Sequence, residues 1–376
     1  MTKAESYLGW LALGMTPGLG ARNAAKLLRA FGSPEGIFRA TLTELEGQHL
    51  QAAVAQAIHS GGPMSAAAKE LATVEAAGVR LITWDEPEYP ALLREIYDPP
   101  PLLYVRGNIE LLARHSIAIV GTRRPSPYAN QMAERLARDL AERGLVVVSG
   151  LARGVDASAH SGALTAPHGA TAAILGCGID VVYPKENRKL FTKIEERGVL
   201  VSEFVMGAFP APQNFPVRNR LIAGMALGVV VVEGAQYSGS LITARLAMEF
   251  SREVYGVPGN VTQPGSFGPN HLIKQGAKLV TSWEDVVDEL PTAIRAQLTP
   301  IETASAEDRA VMLEQSLTVQ ERSLYSLLTV EEPKHVDEIM DLAGMASSGV
   351  LALLFDLEMK GAIRQLPGKR FVKAMV

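Results

Sequence analysis

A single cysteine, Cys177, in 376 residues excludes a disulfide framework and any cysteine-based zinc cage, and it suits a reducing cytosol. No uninterrupted apolar run approaches the ~18 residues needed to cross a bilayer. The opening MTKAESYLGW also lacks the basic-then-apolar pattern of a secretory leader. A cytoplasmic protein with no membrane insertion is therefore expected. No G-x-x-x-x-G-K-[ST] occurs, which removes the lysine and the magnesium-binding hydroxyl of a P-loop, and no G-x-G-x-x-G follows an apolar strand. ATPase and nicotinamide-dependent chemistry thereby lose their main supports. Gly 34 and Pro 22 are too few for collagen-like or low-complexity chains, while 47% hydrophobic residues suffice for a sizeable core. The length suggests two or three domains.

Charge is unevenly spread. The net charge is −4, yet residues 115–282 carry 17 basic and 12 acidic side chains. A basic segment inside an acidic protein points to an anionic ligand of that segment. Residues 283–316 carry 2 basic and 8 acidic side chains, and the stretch 291–316 reads as a linker. The expected organisation is a helical domain over 1–80, a Rossmann-like domain over 81–290, that linker, and a tail domain over 317–376.

Six short β-branched runs, Ile117–Val120, Leu145–Val148, Ala172–Leu175, Val199–Val201, Val229–Val232 and Val254–Val257, alternate with helix-length segments. Runs that are apolar on both faces and spaced in this way predict an α/β fold, a doubly wound parallel sheet covered by helices. Ligands of such sheets lie beyond the carboxyl ends of the strands. The residues there are rich in glycine and arginine: Gly121-Thr122-Arg123-Arg124, Ser149-Gly150-Leu151-Ala152-Arg153-Gly154, Gly176-Cys177-Gly178 and Ser202-Glu203. Near the N-terminus, Gly18-Leu19-Gly20 precedes an amphipathic helix. It reads either as a helix-hairpin-helix turn whose free N–H groups take a phosphate, or as an ordinary tight corner. Residues 317–376 read as three helices (Val319–Leu328, Val336–Leu342, Ser347–Lys360) and a wing (Ile363–Gln365, Phe371–Lys373), the order of a winged helix. The third helix offers no Arg, Lys, Asn or Gln early on, which disfavours base-specific reading.

Ser238-Gly239-Ser240 opens a helix, where hydroxyls and unpaired N–H groups suit either a phosphate or a simple N-cap. Arg218-Asn219-Arg220 after Phe215-Pro216, and Lys185 and Arg188 after Tyr183-Pro184, set cations beside aromatic rings. That pairing suits single-stranded nucleic acid, whose phosphates are neutralised while its bases stack. Cys177 with His160 or His168 reads as packing rather than as a thiol nucleophile, and Asp156, His160 and His168 lack further ligands for a metal. No metal, cofactor or catalytic residue is assigned.

In order along the chain, Gly121-Thr122-Arg123, Ser149-Gly150-Leu151-Ala152-Arg153-Gly154-Val155-Asp156 with His160, Leu175-Gly176-Cys177-Gly178-Ile179-Asp180 with Tyr183-Pro184, Phe215-Pro216 with Arg218-Asn219-Arg220, and Ser238-Gly239-Ser240-Leu241-Ile242-Thr243-Ala244 resemble the DprA (Smf) family. The resemblance implies an extended Rossmann core flanked by an N-terminal SAM- or helix-hairpin-helix-like domain and a C-terminal winged helix. It also implies a non-enzymatic role: binding and protecting incoming single-stranded DNA during natural transformation and helping to load the RecA recombinase. Arg123 and Lys185 correspond to the prominent DNA-binding positions of that family. Gly121, Arg153, Arg188, Arg218, Arg220, Ser238, Gly239 and Ser240 follow as further binding positions. A homodimer is implied through Asn270–Val280, including His271, Leu272 and Leu279. The competing reading is a nucleotide-processing hydrolase on a related core. Its Pro-Gly-Gly-x-Gly-Thr-x-x-Glu motif is replaced here by Glu233-Gly234-Ala235-Gln236-Tyr237-Ser238-Gly239-Ser240.

Overall fold

The computed structural model describes residues 3–298 and 313–374. Six helices come first: α1 Lys3–Gly14, α2 Gly20–Phe31, α3 Pro34–Arg39, α4 Leu42–Glu46, α5 Ala52–His59 and α6 Pro63–Ala76. Local signals set their ends. Ser33 caps α3 ahead of Pro34, and Thr41 and Glu44 form a reciprocal capping box on α4. Gly18 and Gly20 both adopt positive φ, 76° and 67°, which turns the chain from α1 into α2 and buries Leu19 between them.

A nine-stranded sheet follows: β1 Arg80–Thr83, β2 Leu102–Gly107, β3 Ser116–Val120, β4 Val146–Ser149, β5 Ala170–Leu175, β6 Val199–Ser202, β7 Gly228–Val231, β8 Glu253–Gly256 and β9 Lys278–Leu279. Its order is β1-β2-β6-β5-β4-β3-β7-β8-β9. The six runs read from sequence are β3 to β8, each within two residues of the expected ends, and all are parallel. β1 and β2 were not read as strands; they add to β6 as an antiparallel extension.

The connecting helices are α7 Ala91–Glu95, α8 Pro127–Glu142, α9 Val155–Thr165, α10 Arg188–Arg197, α11 Asn214–Met225, α12 Gly239–Glu249, α13 Phe267–Lys274 and α14 Trp283–Val287. α8 and α9 cover one face through Met132, Leu136, Leu140, Val155 and Ala159, and α11 and α12 cover the other through Leu221, Ile222, Ala244 and Ala247. Burial on both faces explains why β3, β4 and β7 are uninterrupted hydrophobic runs apart from Ser116, Ser149 and Gly228. The strand order reverses between β3 and β7, so the carboxyl-end crevice opens there.

The expected linker begins differently. Residues Thr292–Arg295 form a helix, α15, and Ile294 and Leu298 pack on the core beside α8, so the apolar positions of this acidic stretch hold its first part to the domain. The rest of the expected linker, up to residue 312, lies outside the described residues. The tail comprises α16 Val319–Ser326, β10 Lys334–His335, α17 Val336–Ala343, α18 Ser347–Met359, β11 Ile363–Leu366 and β12 Arg370–Lys373. This is the winged-helix order with one added strand, around Leu324, Ile339, Val350, Leu354 and Leu357. Lys360 Nζ lies 2.7 Å from both carboxylate oxygens of Glu321, joining α18 to α16. Among the described residues no single helix is long and apolar enough to cross a membrane.

Candidate nucleic-acid interface

The loop after β3 crosses the switch point. Thr122 N donates to Glu233 O at 2.7 Å and Ser126 N donates to Glu233 Oε2 at 2.8 Å, so the Arg123 loop is held at both ends by the residue that follows β7. A Cβ on Gly121 would lie 2.6 Å from Val155 Cγ2 and 2.9 Å from Glu233 O, which leaves room only for glycine. Beyond this loop opens a cavity of about 880 Å³. It is lined by the first βα loop, by Phe215 and Arg218 of α11, and by the start of α12.

Aromatic rings and cations share the mouth. The Arg123 guanidinium lies 5.5 Å from the Phe215 ring centroid, and Tyr183 packs beside the same ring at 5.6 Å. Tyr237, 91% exposed, is a further ring on the lining of the cavity. At the start of α12, Ser238 Oγ accepts from Ser240 N at 3.4 Å and meets Ser240 Oγ at 2.8 Å, while the space beside Gly239 is open. The hydroxyl pair and the positive end of the helix dipole favour an anion there.

The floor is more deeply buried. Arg218 Nη1 donates to the carbonyls of Gly150, at 2.6 Å, and of Ile174, which ties the ends of β4 and β5 together. A Cβ on Gly150 would lie 2.1 Å from that nitrogen, so the glycine exists to admit the guanidinium. Asp156 Oδ2 accepts from Gly150 N at 3.2 Å and Ala152 N at 3.4 Å, and burial pushes its carboxyl above the usual range. His160 lies below, its Nε2 facing Leu151 N at 3.3 Å and its Nδ1 facing Thr171 Oγ1 at 2.7 Å; burial pushes it down to about 3. Cys177 is buried, and burial pushes its thiol up to about 11, which leaves it unsuited to nucleophilic work. Among the described residues no group of three or more His, Cys, Asp or Glu side chains is placed to hold a metal ion.

Of the residues singled out from sequence, Gly121, Arg123, Arg218, Ser238, Gly239 and Ser240 converge on the cavity. Arg153 borders a smaller recess beside it, where it forms a surface ion pair with Glu186. Lys185 and Arg188 stand exposed just beyond, on the segment that Asn187 fastens to Leu151 O at 2.9 Å.

Arg220 does not belong to this group. Its guanidinium is buried away from the cavity, paired with Glu203 and with Asp98 at 3.5 Å. Two residues along a helix turn the side chain by roughly 200°, so Arg218 and Arg220 face opposite sides of α11. Leu272 is likewise corrected as a candidate interface residue: it is 5% exposed and packs into the sheet core. Leu279 is 43% exposed, and His271 is exposed with its ring stacked on Phe267 at 5.4 Å. Sequence reasoning left Asp156 without a role once a metal site was discounted, and it assigned none to Asn219, Thr243 or Phe267; all four line the cavity. Asp156 was the findable one, since it follows Gly154 one turn before His160 in a strand-end motif.

A doubly wound sheet with a cation-rimmed cavity at its switch point defines the class: a Rossmann-type binding protein for an anionic ligand. The model of the DNA recombination-mediator protein A family matches residues 80–291, and that of the DprA winged helix domain matches residues 308–369. Protein Smf of Escherichia coli is 36% identical over 311 residues, 81% of this chain and 80% of that protein. The X-ray structure of DNA processing protein A from Streptococcus pneumoniae superposes with a TM-score of 0.67 at 35% identity, covering 77% of this chain and 99% of that one. A Helicobacter pylori DNA processing protein A structure, which concerns that protein's single-stranded DNA binding mode, gives a TM-score of 0.51 at 32% identity, covering 56% of this chain and 94% of that one. The chain belongs to the DprA/Smf family of DNA recombination mediators.

Proposed function

We propose that this protein binds single-stranded DNA in the switch-point cavity, protects it, and passes it to the RecA recombinase during natural transformation or other homologous recombination, working as a cytoplasmic homodimer without cofactor or catalysis. The observation that carries this reading is the mouth of the cavity, where Arg123, the aromatic rings of Phe215 and Tyr183, and the open start of α12 face one space. Arg123, Lys185, Arg188 and, once it releases Glu186, Arg153 take phosphates. Gly121 lets the strand approach the backbone, while Ser238, Gly239 and Ser240 supply donors and Arg218 stiffens the floor. The single-stranded DNA binding of the Helicobacter pylori relative supports the same reading.

The test is fluorescence anisotropy of a labelled single-stranded oligonucleotide of mixed base sequence across a salt series, with a duplex of equal length as competitor. The expected result is single-strand preference, a steep loss of affinity with salt, and about tenfold weaker binding with a flatter slope for Arg123→Ala. No binding at low salt by folded protein would redirect attention to the nucleotide-hydrolase reading. RecA loading is tested separately, by whether the protein shortens the lag of RecA filament formation on strands coated with single-strand-binding protein.

A further inference from the structure

The recessed floor of the cavity carries a carboxyl group where a phosphate-binding pocket would be expected to carry a cation. Asp156 is 6% exposed, and its Oδ2 is occupied by the N–H groups of Gly150 and Ala152. Oδ1 has no hydrogen-bond partner among the described residues, and Asp156 borders the cavity. The nearest cation does not cancel it by contact, because Arg218 Nη1 is turned to the carbonyls of Gly150 and Ile174. A carboxylate oxygen of this kind repels phosphate and accepts a hydrogen bond from a neutral donor. The same cavity also offers apolar and aromatic wall, from Val120, Ile222 and Phe215, beside its polar residues.

The geometry points to a nucleobase entering the cavity edge first, with its phosphates left at the Arg123 rim and an exocyclic amino group donating to Asp156 Oδ1. Asp156 is then a specificity-determining residue that favours amino-bearing bases over thymine and uracil. Cytosine, adenine and guanine each project an amine beyond the ring. The only ring N–H of thymine or uracil lies between two carbonyl oxygens, which would be pressed against the carboxylate. This inference rests on the reading that the cavity binds single-stranded DNA.

Oligodeoxycytidine and oligodeoxyuridine of equal length share backbone and charge and differ only on the base edge, so competition between them on the full chain, at mildly alkaline pH, isolates the contact. The wild-type protein should bind the cytidine strand about tenfold more tightly. Asp156→Asn supplies the second measurement. Its amide oxygen can still accept from the Gly150 and Ala152 N–H groups, while its nitrogen now donates into the cavity, so the preference should vanish or invert toward uracil O4. Equal binding of both strands by the wild-type protein overturns the inference and leaves the single-stranded DNA reading standing. Discrimination that survives Asp156→Asn removes Asp156 as its source. Failure to bind either strand overturns the underlying reading and the inference with it.

Discussion

Glu233 Oε2 accepts the backbone N–H of Ser126 at 2.8 Å, across the point where the sheet reverses direction. Because Glu233 O also accepts Thr122 N, one residue of the β7 half pins the Arg123 loop of the β3 half. Glu233→Ala should therefore weaken single-stranded DNA binding by about fivefold through Arg123, at a stability cost of about 1 kcal/mol. Glu233→Gln, which keeps a side-chain acceptor, should recover most of the affinity. In an Arg123→Ala background the Glu233→Ala change should cost little more, and full additivity in that double-mutant cycle would separate the two residues.

Arg220 and Arg123 should respond in opposite ways. Arg220→Ala leaves the part-buried Glu203 and Asp98 without their cation and should lower unfolding free energy by about 3 kcal/mol. Affinity per folded molecule should stay within about twofold of wild type. Arg123→Ala should do the reverse. Denaturant melts beside anisotropy titrations read both effects.

That contrast also shows how far the sequence could be read. The parallel strands were legible because burial on both faces leaves an unbroken apolar signature, and the strand-end loops were legible because the topology sends ligands there. Arg218 and Arg220 look equivalent in Arg218-Asn219-Arg220, and only the phase of α11 assigns one to the cavity floor and the other to an ion-paired core. β2 was missed because Leu102–Gly107 follows Pro99-Pro100-Pro101 and pairs antiparallel with a strand that lies almost a hundred residues on, which no local pattern reveals. Leu272 falls in the segment that the family resemblance implies as an interface, yet α13 turns it toward the sheet.

His160 sets an acid limit on the fold. Thr171 donates its own hydroxyl proton to Val147 O at 2.6 Å, so His160 Nδ1–H donates to Thr171 and Nε2 accepts from Leu151. Protonating Nε2 would break that last bond. Its folded pKa, pushed down to about 3 by burial, lies below the unfolded value near 6.5. The unfolded chain therefore binds the extra proton first: stability is intact above about pH 6.5 and declines as the pH falls toward 3. Between pH 7 and 5 this group should remove about 2 kcal/mol, and urea melts at the two values should show a smaller decline for His160→Gln.

If copies associate through the segment 270–280, Leu279→Arg should shift sedimentation from dimer toward monomer without lowering the melting temperature, since Leu279 is already 43% exposed. An unchanged dimer would place the contact elsewhere. A variant ending at Glu314 should keep most of its affinity for single-stranded DNA, and a collapse despite normal folding would make the winged helix a DNA reader.

β9 is only two residues long and meets β8 through Tyr255↔Lys278 and Gly256↔Leu279 alone. An incoming strand would find almost no backbone ladder to extend at this margin, and Lys278, engaged with Glu289 at 2.7 Å, adds charge there. Association at this end of the sheet must then be written in side chains rather than in main-chain hydrogen bonds. Side-chain contacts closed on a twofold axis would stop at two copies, whereas a long free strand would invite open-ended fibres.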